Sequence, residues 1–298
     1  MTTPMPISDP FEPFSFREGD RVAVIAGSDR LPLDIAEGLS AIGKPPLVVM
    51  IEGEASPALA SFEHAVLAVE DLAGLVPLLR QQGVTHAVLA GGIARRPRLS
   101  ALKPRLALLA LLPQLLRALR KGDDGVLRAL VTHIEASGIK VVGAHEILPE
   151  LLADEGVIAG RPPLDADWPD LEAACTAARA IGGLDIGQGA VAIGGRVIAV
   201  EGIEGTDGLL DRVRQLRTHG RIAGIQRGVL VKCAKPGQEQ RADLPAIGPA
   251  TIIGAHAAGL AGIGLEAGSS LVLDYRGVVE QAERLGIFVI GLSPDKLQ

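Results

Sequence analysis

Aromatic side chains are scarce in this chain, which has five Phe, one Trp and one Tyr among 298 residues. Proteins that bind single-stranded nucleic acids stack the bases on such rings, and proteins that bind duplexes neutralise the phosphates with an excess of basic residues. Here 35 acidic residues outnumber 29 basic ones, which gives a net charge of −6. The composition therefore excludes nucleic acid as a partner.

Cysteine is also rare. Cys175 and Cys233 are the only two, which is too few for a disulfide framework, and their spacing is not that of metal ligands. Cys175 lies in an Ala-rich helical pattern and is expected to be a small buried residue. The chain is therefore expected in a reducing compartment.

Signals for secretion and for membrane insertion are missing as well. The N-terminus lacks the basic-then-apolar pattern of a signal peptide, and residues 1–18 are expected to form a flexible extension. The most apolar segment, residues 106–119, is too short to span a bilayer and is interrupted by Pro113 and Arg117. It is expected to be a buried helix or, alternatively, a helix that faces lipid acyl chains.

The first half of the chain alternates strands and helices. Its strand-like segments are unbroken apolar runs, which are typical of a parallel sheet with helices on both faces, so residues 19–155 are predicted to form a Rossmann-like domain. Ligands of such sheets bind beyond the carboxyl ends of the strands, where Gly27, Gly91 and Gly92 lie. The turn at 26–31 has one glycine where the dinucleotide fingerprint needs three, which disfavours an NAD-dependent oxidoreductase. The predicted strands are 21–26, 47–51, 64–69, 85–90 and 139–143, with helices at 31–42, 71–82 and 126–137.

The second half differs in its strand pairing. The density of Pro and Asp marks residues 156–169 as a linker, so the second domain is predicted over residues 170–298. Gly194-Gly195 between two apolar runs predicts a two-residue hairpin, which makes the pairing antiparallel there. This domain is therefore predicted to be a mixed α/β domain, with helices at 170–182, 249–259 and 277–285 and further strands at 228–231, 270–275 and 287–292.

A loop at residues 232–248 concentrates charged and amide side chains between a buried strand and a helix start at Gly248-Pro249. Lys and Arg neutralise phosphate oxygens, and carboxylates beside them can hold Mg²⁺, which prefers oxygen ligands. The alternative is a solvated loop whose charges pair with each other. The polar residues of this loop are Lys232, Lys235, Gln238, Glu239, Gln240, Arg241 and Asp243.

Other polar residues have two interpretations each. His145 and Glu146 follow a strand and could be metal ligands, but a pair without a third partner is more often structural. Asp123 or Asp124 fits the N-cap of the following helix. Thr206 also fits an N-cap, whereas a Gly-Thr pair at a helix N-terminus is equally an anion site.

Six short motifs occur in a fixed order along the chain. As a set they resemble the LpxI-type UDP-2,3-diacylglucosamine pyrophosphatases of Gram-negative lipid A synthesis, and the resemblance extends from about residue 21 to residue 292. The motifs are Lys121-Gly-Asp-Asp124, Gly143-Ala-His-Glu146, Leu184-Asp-Ile-Gly-Gln-Gly189, Val200-Glu-Gly-Ile-Glu-Gly-Thr-Asp207, Lys235-Pro-Gly-Gln-Glu239 and Asp243-Leu-Pro-Ala-Ile-Gly248.

The resemblance implies two domains with the substrate held between them. It implies Mg²⁺-dependent hydrolysis of UDP-2,3-diacylglucosamine to UMP and 2,3-diacylglucosamine 1-phosphate (lipid X). It also implies a homodimer, a cytoplasmic location, and peripheral contact with the cytoplasmic face of the inner membrane. A non-catalytic nucleotide-sugar or glycolipid-binding protein is the alternative, since it would keep the glycine loops without needing Asp243.

The resemblance assigns a role to Asp243, and the chemistry of pyrophosphate cleavage suggests roles for the other polar residues. The family's essential acid falls at Asp243, which is expected to bind Mg²⁺ or to orient the attacking water, with Glu239 assisting as second ligand or base. Lys235 is the third catalytic residue, and with Lys232 and Arg241 it is expected to hold the phosphates, because pyrophosphate cleavage depends on positioning and on neutralising oxygens. Asp207 is expected to be a metal ligand or a first-turn acid that complements the helix dipole, and Asp185 a site residue or a cap. The expected substrate-binding residues are Gly27, Gly91, Gly92, Asp123, Asp124, Gln188, Gly189, Thr206, Lys232 and Gln240.

Overall fold

The computed structural model describes residues 14–93, 95, 122–220, 222 and 227–293, and for residues 122–124 the backbone alone. The apolar segment 106–119 and Lys121 lie outside the described residues. The described chain divides into two compact units, of which the first ends at Glu150 and also includes Arg241–Asp243. The second contains Leu151 to Gln240 and continues from Leu244. None of the described helices is long and apolar enough to cross a membrane.

The first unit contains a sheet of five parallel strands, which confirms the prediction of a parallel-sheet domain. Its strands are β1 (Val22–Ala26), β2 (Leu47–Ile51), β3 (His64–Leu67), β4 (His86–Ala90) and β5 (Lys140–Val141). Their order across the sheet is β3-β2-β1-β4-β5. The described helices of this unit are α1 (Leu31–Ala41), α2 (Leu75–Gln81), α3 (Gly122–Ala136) and α4 (Ala144–Ile147), with 3-10 turns at Pro57–Ser61, Val69–Gly74 and Pro149–Leu151.

Both faces of this sheet are covered. Val24 of β1 packs with Ile35 of α1, whereas the next residue, Ile25, lies in another cluster with Leu79 of α2 and Ile134 of α3. Successive side chains of a strand point to opposite faces, so the strands of a sheet buried on both sides must be apolar throughout. This explains why the apolar runs of the sequence identify the strands.

Phe14 and Phe16, in the stretch predicted to be a flexible extension, pack against the first unit. Each ring lies 5.4 Å from the ring of His86, and the two Phe rings are 4.9 Å apart. The backbone N–H of Phe14 also donates a hydrogen bond of 2.7 Å to the carbonyl of Glu146. Burial of the two aromatic rings accounts for this docking.

The second unit contains a mixed sheet of six strands, as the predicted change to antiparallel pairing requires. The strands are β6 (Gly156–Ala159), β7 (Gly189–Ile193), β8 (Arg196–Val200), β9 (Val229–Lys232), β11 (Gly262–Glu266) and β13 (Phe288–Leu292), and β10 (Ala246–Ile247) pairs separately with β12 (Leu271–Val272). The order in the sheet is β6-β13-β11-β9-β7-β8, with β9, β11 and β13 parallel and the others antiparallel to their neighbours. The helices are α5 (Trp168–Gly183), α6 (Gly205–Leu216), α7 (Pro249–Ala257) and α8 (Tyr275–Leu285).

Two strands of this unit have weak sequence patterns. In β11 the glycine at 262 is needed because a Cβ there would lie 2.3 Å from the Phe288 ring, and glycines dilute the apolar run. Strand β6 lies inside the segment predicted as a linker and pairs with the edge of β13.

The strand predicted at 270–275 is wrong in its length, since only the two residues of β12 are in a strand. Asp274 ends it by acting as the N-cap of α8: its carboxylate accepts a hydrogen bond of 3.2 Å from the N–H of Gly277. A short polar side chain that binds the first free N–H groups starts a helix more readily than it extends a strand.

Candidate functional site

Lys232 is the last residue of β9 and is buried, with 4% of its surface exposed. Its ammonium donates hydrogen bonds of 2.9 Å to the hydroxyl of Thr206 and of 2.9 Å to the carbonyl of Ala246. A buried cation is costly unless it is hydrogen-bonded and its charge is balanced. The two acceptors therefore fix the position of this ammonium group at the carboxyl end of the strand.

Glu201 supplies a negative charge to the same network. It is 6% exposed, its Oε1 accepts a hydrogen bond of 2.9 Å from the Thr206 hydroxyl, and its Oε2 accepts one of 3.2 Å from the backbone N–H of Gln188. A hydroxyl has one proton to donate, and that of Thr206 goes to Glu201 while its oxygen accepts from Lys232. The Thr206 side chain is thus a bridge between a buried cation and a buried anion.

The start of helix α6 bears on one of the two interpretations of Thr206. Helix α6 begins at Gly205, and the N-cap position is occupied by Glu204, so the N-cap interpretation of Thr206 is wrong. Because its only proton already goes to Glu201, Thr206 reaches a substrate phosphate with its hydroxyl proton only if that bond breaks. Its predicted contact with substrate stays a prediction.

Gln188 and Gly189 lie on the other side of Glu201. A Cβ at residue 189 would lie 2.8 Å from Glu201 Oε2, so glycine allows the close approach of this strand to the carboxylate. The side-chain Oε1 of Gln188 is buried and accepts no hydrogen bond from the described residues. Buried polar atoms are nearly always hydrogen-bonded, so this open acceptor is an exception within the network, and the predicted binding role of Gln188 stays a prediction.

Lys235 lies three residues beyond Lys232 and forms an ion pair of 2.7 Å with Asp185. Asp185 follows the end of α5 in the left-handed backbone conformation, with φ of 54°, which Asn and Asp adopt more readily than other residues apart from glycine. Its N–H also donates to the carbonyl of Gly182, so the residue both ends the helix and binds the lysine. The backbone of Lys235 is held by Gln238, whose Oε1 accepts from its N–H at 2.9 Å.

Glu266 ends strand β11 beside β9 and was not among the predicted site residues. Its carboxylate accepts a hydrogen bond of 3.0 Å from the guanidinium of Arg179 and one of 3.0 Å from the backbone N–H of Ala234. It therefore anchors the start of the loop that follows Lys232. Glu201 was also absent from the predicted site residues. Both acids lie at the carboxyl end of a strand, which is where ligand-binding groups are often found in such sheets, so their position was a signal that could have identified them.

The two cysteines lie next to these anchors. Cys175, on α5, is buried as predicted, and its Sγ lies 3.5 Å from that of Cys233. The hydrogen bond between the two thiols and the burial of Cys233 raise the pKa of Cys233, which therefore stays protonated at neutral pH. The pair forms part of the apolar packing under the loop.

In the first unit, Gly27 and Gly91 allow the loops that follow β1 and β4 to pack closely against each other. The N–H of Gly27 donates to the carbonyl of Ala90 at 2.8 Å, and the N–H of Ser28 donates to the carbonyl of Gly92 at 2.7 Å. A Cβ at residue 27 would lie 2.2 Å from the Gly92 oxygen, and one at residue 91 would lie 2.0 Å from the Ser28 oxygen. These glycines lie at the carboxyl ends of β1 and β4, as predicted, and they have a packing role there that does not depend on a ligand.

Asp243 belongs to the short segment Arg241–Asp243, which is part of the first unit. The guanidinium of Arg241 forms an ion pair of 2.6 Å with Glu135 on α3, and Ala242 packs against the apolar cluster of the sheet. Arg241 and Ala242 thus fix the position of the backbone directly before Asp243. The ion pair also gives Arg241 a structural role beside its predicted contact with phosphate.

The remaining predicted residues are described by the elements that carry them. Asp207 is in the first turn of α6, where an acid complements the helix dipole. Asp123 and Asp124 lie inside α3, which begins at Gly122, so the N-cap interpretation of these two residues is wrong. Glu239 and Gln240 are at the end of the second unit's segment, directly before Arg241.

The predicted magnesium ion needs oxygen ligands. No group of three or more His, Cys, Asp or Glu among the described side chains is arranged to hold a metal ion. Mg²⁺ does not need such a cage, because it keeps several waters and is usually bound by one or two carboxylates together with substrate phosphates. A magnesium ion held by the described residues would therefore need substrate phosphates or waters among its ligands.

The chain matches known proteins over both halves. Residues 21–151 match the LpxI N-terminal domain family, and residues 154–290 match the LpxI C-terminal domain family. A relative in Caulobacter vibrioides, the UDP-2,3-diacylglucosamine pyrophosphatase LpxI, is 40% identical over 277 residues, which are 93% of this chain and 99% of the relative. The similarity thus covers both units and nearly the full length of both proteins.

Proposed function

The chain belongs to the LpxI family, and we propose that it hydrolyses the pyrophosphate bond of UDP-2,3-diacylglucosamine in lipid A synthesis. Water adds to one phosphorus, the bond from that phosphorus to the bridging oxygen breaks, and the products are UMP and 2,3-diacylglucosamine 1-phosphate. The observation that carries this proposal is the 40% identity to a UDP-2,3-diacylglucosamine pyrophosphatase over 93% of the chain.

Lys232 and Lys235 are proposed to bind phosphate oxygens. Donors that are already held in place lower the barrier more than mobile ones, because nothing has to reorganise while charge develops. Lys232 is held by Thr206 and Ala246, and Lys235 by Asp185. Lys235 would exchange its carboxylate partner for a phosphate when the substrate binds.

Asp243 is proposed to orient the attacking water and to accept its proton. A carboxylate that acts in this way must be positioned within hydrogen-bond distance of the water, and the anchoring of Arg241 and Ala242 on the first unit fixes the chain directly before it. Glu239 is proposed to assist, as a second base or ligand.

Mg²⁺ is proposed as the cofactor. When bound, it would neutralise the charge that develops on the phosphate oxygens. The carboxylate of Asp207 is a proposed protein ligand, and that of Asp243 is the second one in the alternative in which it binds the metal instead of accepting the proton. The substrate phosphates and waters would complete the coordination.

The test is a turnover assay with purified protein and UDP-2,3-diacylglucosamine, in which UMP and the lipid product are both quantified. We expect equal amounts of the two products, loss of turnover with EDTA and recovery when Mg²⁺ is added back. UDP-glucosamine without acyl chains serves as the comparison substrate and should be hydrolysed more slowly. Binding of the acylated substrate without any UMP release would instead identify a non-catalytic glycolipid-binding protein.

A further inference from the structure

His145 is the third residue of the motif Gly143-Ala-His-Glu146, which the proposed function does not use. It lies on α4, directly beyond the carboxyl end of β5. Its neighbour Glu146 has a structural task, since its Oε1 accepts a hydrogen bond of 2.7 Å from the N–H of Gly143. The imidazole of His145 has no such structural hydrogen bond to the described residues.

The Nδ1 atom of His145 is buried and has no hydrogen-bond partner among the described residues. Burial lowers the pKa of this imidazole, more than the neighbouring Glu146 raises it, so the ring is neutral at pH 7. A buried polar atom without a partner lowers the stability of the folded state. Such an atom calls for an explanation, and a catalytic role is one of those that apply in folded proteins.

The ring lies beside the segment that carries Asp243. A Cβ at Gly143 would lie 2.8 Å from His145 Nδ1 and 3.3 Å from the Cα of Arg241. The glycine backbone is therefore covered by the imidazole and by the Arg241 backbone at once. Since Arg241 is anchored to Glu135 at 2.6 Å, the ring and the chain that leads into Asp243 are held at the same point.

This point is also where a ligand is expected. The carboxyl ends of the strands of an open parallel sheet form the usual ligand-binding edge of such a fold. The pyrophosphate of the substrate has no proton to donate at neutral pH, so a side chain can contact it only as a donor. A neutral imidazole can donate one hydrogen bond without placing a second charge beside Asp243.

We propose that His145 contacts the substrate and that its Nδ1–H donates a hydrogen bond to a phosphate oxygen of UDP-2,3-diacylglucosamine. This proposal rests on the proposed hydrolase function. It adds to the site a residue whose hydrogen-bonding capacity is unused by the described part of the chain.

Three variants test which nitrogen is used. In His145→Asn the side-chain amide nitrogen can take the place of Nδ1, in His145→Gln it reaches the place of Nε2, and His145→Leu removes both. We expect kcat/KM to stay within about fivefold of wild type in the Asn variant and to fall by about 10- to 100-fold in the Gln and Leu variants. The exposed His64, changed to Leu as a matched control, should leave kcat/KM unchanged.

Urea unfolding of the same variants separates substrate contact from a structural role. His145→Leu removes a buried nitrogen that has no described partner, so its free energy of unfolding should equal or exceed that of wild type while its activity falls. A structural role predicts the opposite, with stability and activity lost together. Wild-type kcat/KM in His145→Leu would overturn the proposal.

The failure of the proposed function gives a different pattern. If wild-type protein releases no UMP but binds UDP-2,3-diacylglucosamine in a calorimetric titration, the hydrolase assignment fails. The dissociation constants of the variants then test His145 alone. Weaker binding in His145→Leu than in His145→Asn would support the contact, and equal binding in all variants would overturn it.

Discussion

The ammonium of Lys232 and the hydroxyl of Thr206 are joined by a hydrogen bond of 2.9 Å in the interior of the second unit. The same hydroxyl donates to Glu201 across another 2.9 Å. A neutral side chain thus links a buried cation to a buried anion, and it ties the end of β9 to the first turn of α6 and to the end of β8. This network keeps the charge of Lys232 where the proposed function requires it.

Replacing Thr206 by Val should therefore destabilise the protein. Val keeps the shape of the side chain but removes both hydrogen bonds of the bridge, which leaves Lys232 and Glu201 each without one partner. Hydrogen bonds to charged groups are worth about 1.5–3 kcal/mol, and we expect a loss of that size in the free energy of unfolding, measured with urea. Thr176→Val on the exposed side of α5 removes only a bond to the Glu172 carbonyl and should change stability by less than about 0.5 kcal/mol. Equal changes in both variants would show that the bridge is not a stabilising element.

Gly91→Ala should destabilise the first unit through a collision with backbone atoms. Gly91 has φ of +79°, and its Cβ would lie 2.0 Å from the Ser28 oxygen. Gly43 is the matched control, because its φ of +75° is similar but nothing lies within 4 Å of its Cβ position. Gly43→Ala should cost about 1–2 kcal/mol from backbone strain alone, and Gly91→Ala clearly more. If the two variants have the same free energy of unfolding, the loops that carry Ser28 and Gly91 do not pack as closely as described.

Lys235→Met should lower kcat/KM by about tenfold or more if the lysine binds a phosphate. Its effect on stability should be small, under about 1 kcal/mol, because the ion pair with Asp185 is partly exposed. Asp185→Asn breaks the same ion pair and keeps the charge of Lys235. It therefore separates phosphate binding by Lys235 from the contribution of the ion pair. An Asp185→Asn variant that is as inactive as Lys235→Met would mean that the pair matters as a unit and that Lys235 does not bind phosphate independently.

Asp170→Asn should stabilise the protein at neutral pH. Asp170 is buried and accepts a hydrogen bond of 2.5 Å from the N–H of Gly195, and burial raises its pKa in the folded state above the ordinary value of 3.8. A carboxyl group with a raised pKa favours folding at low pH, and this contribution is lost as the pH rises through the folded-state pKa. Asn keeps an acceptor for Gly195 and cannot ionise.

Urea unfolding between about pH 4 and pH 8 measures this difference. The free energy of unfolding of Asp170→Asn should exceed that of wild type most at pH 8, and the difference should vanish as the pH falls toward 4. The exposed Asp165→Asn serves as control for the change in net charge. An advantage that is the same at every pH would contradict a role for ionisation.

Local signals in the sequence were enough for much of the fold. The hairpin was predictable because the turn needs two residues with positive φ and the sequence supplies Gly194-Gly195, which adopt φ of 62° and 73° without strain. The parallel sheet was predictable because strands buried on both faces are apolar at every position. Strand β11 was not, since Gly262 serves contact with Phe288, which is distant in sequence.

The candidate site shows the same division. Thr206 and Gln188 were recognisable from their motifs and Lys232 from the charged loop that it begins, and the structure brings the three together around Glu201. The part that Glu201 and Glu266 play could not be read from the sequence, because it arises from hydrogen bonds to residues on other elements: Glu266 reaches the N–H of Ala234 on the loop after the neighbouring strand. The docking of Arg241 on Glu135, more than 100 residues away, is likewise a property of the fold.

The rate of UMP release from UDP-2,3-diacylglucosamine by Asp243→Asn, compared with wild type, tests the central claim most directly. Asn keeps the size of the side chain but cannot accept a proton from water, and general-base catalysis contributes about 100-fold or more. We expect a loss of at least that size, with normal unfolding by urea. Asp211 is an exposed acid that forms an ion pair of 3.1 Å with Arg214 on its own helix, and Asp211→Asn should keep the wild-type rate. Asp243→Asn releasing UMP at nearly the wild-type rate would contradict the account.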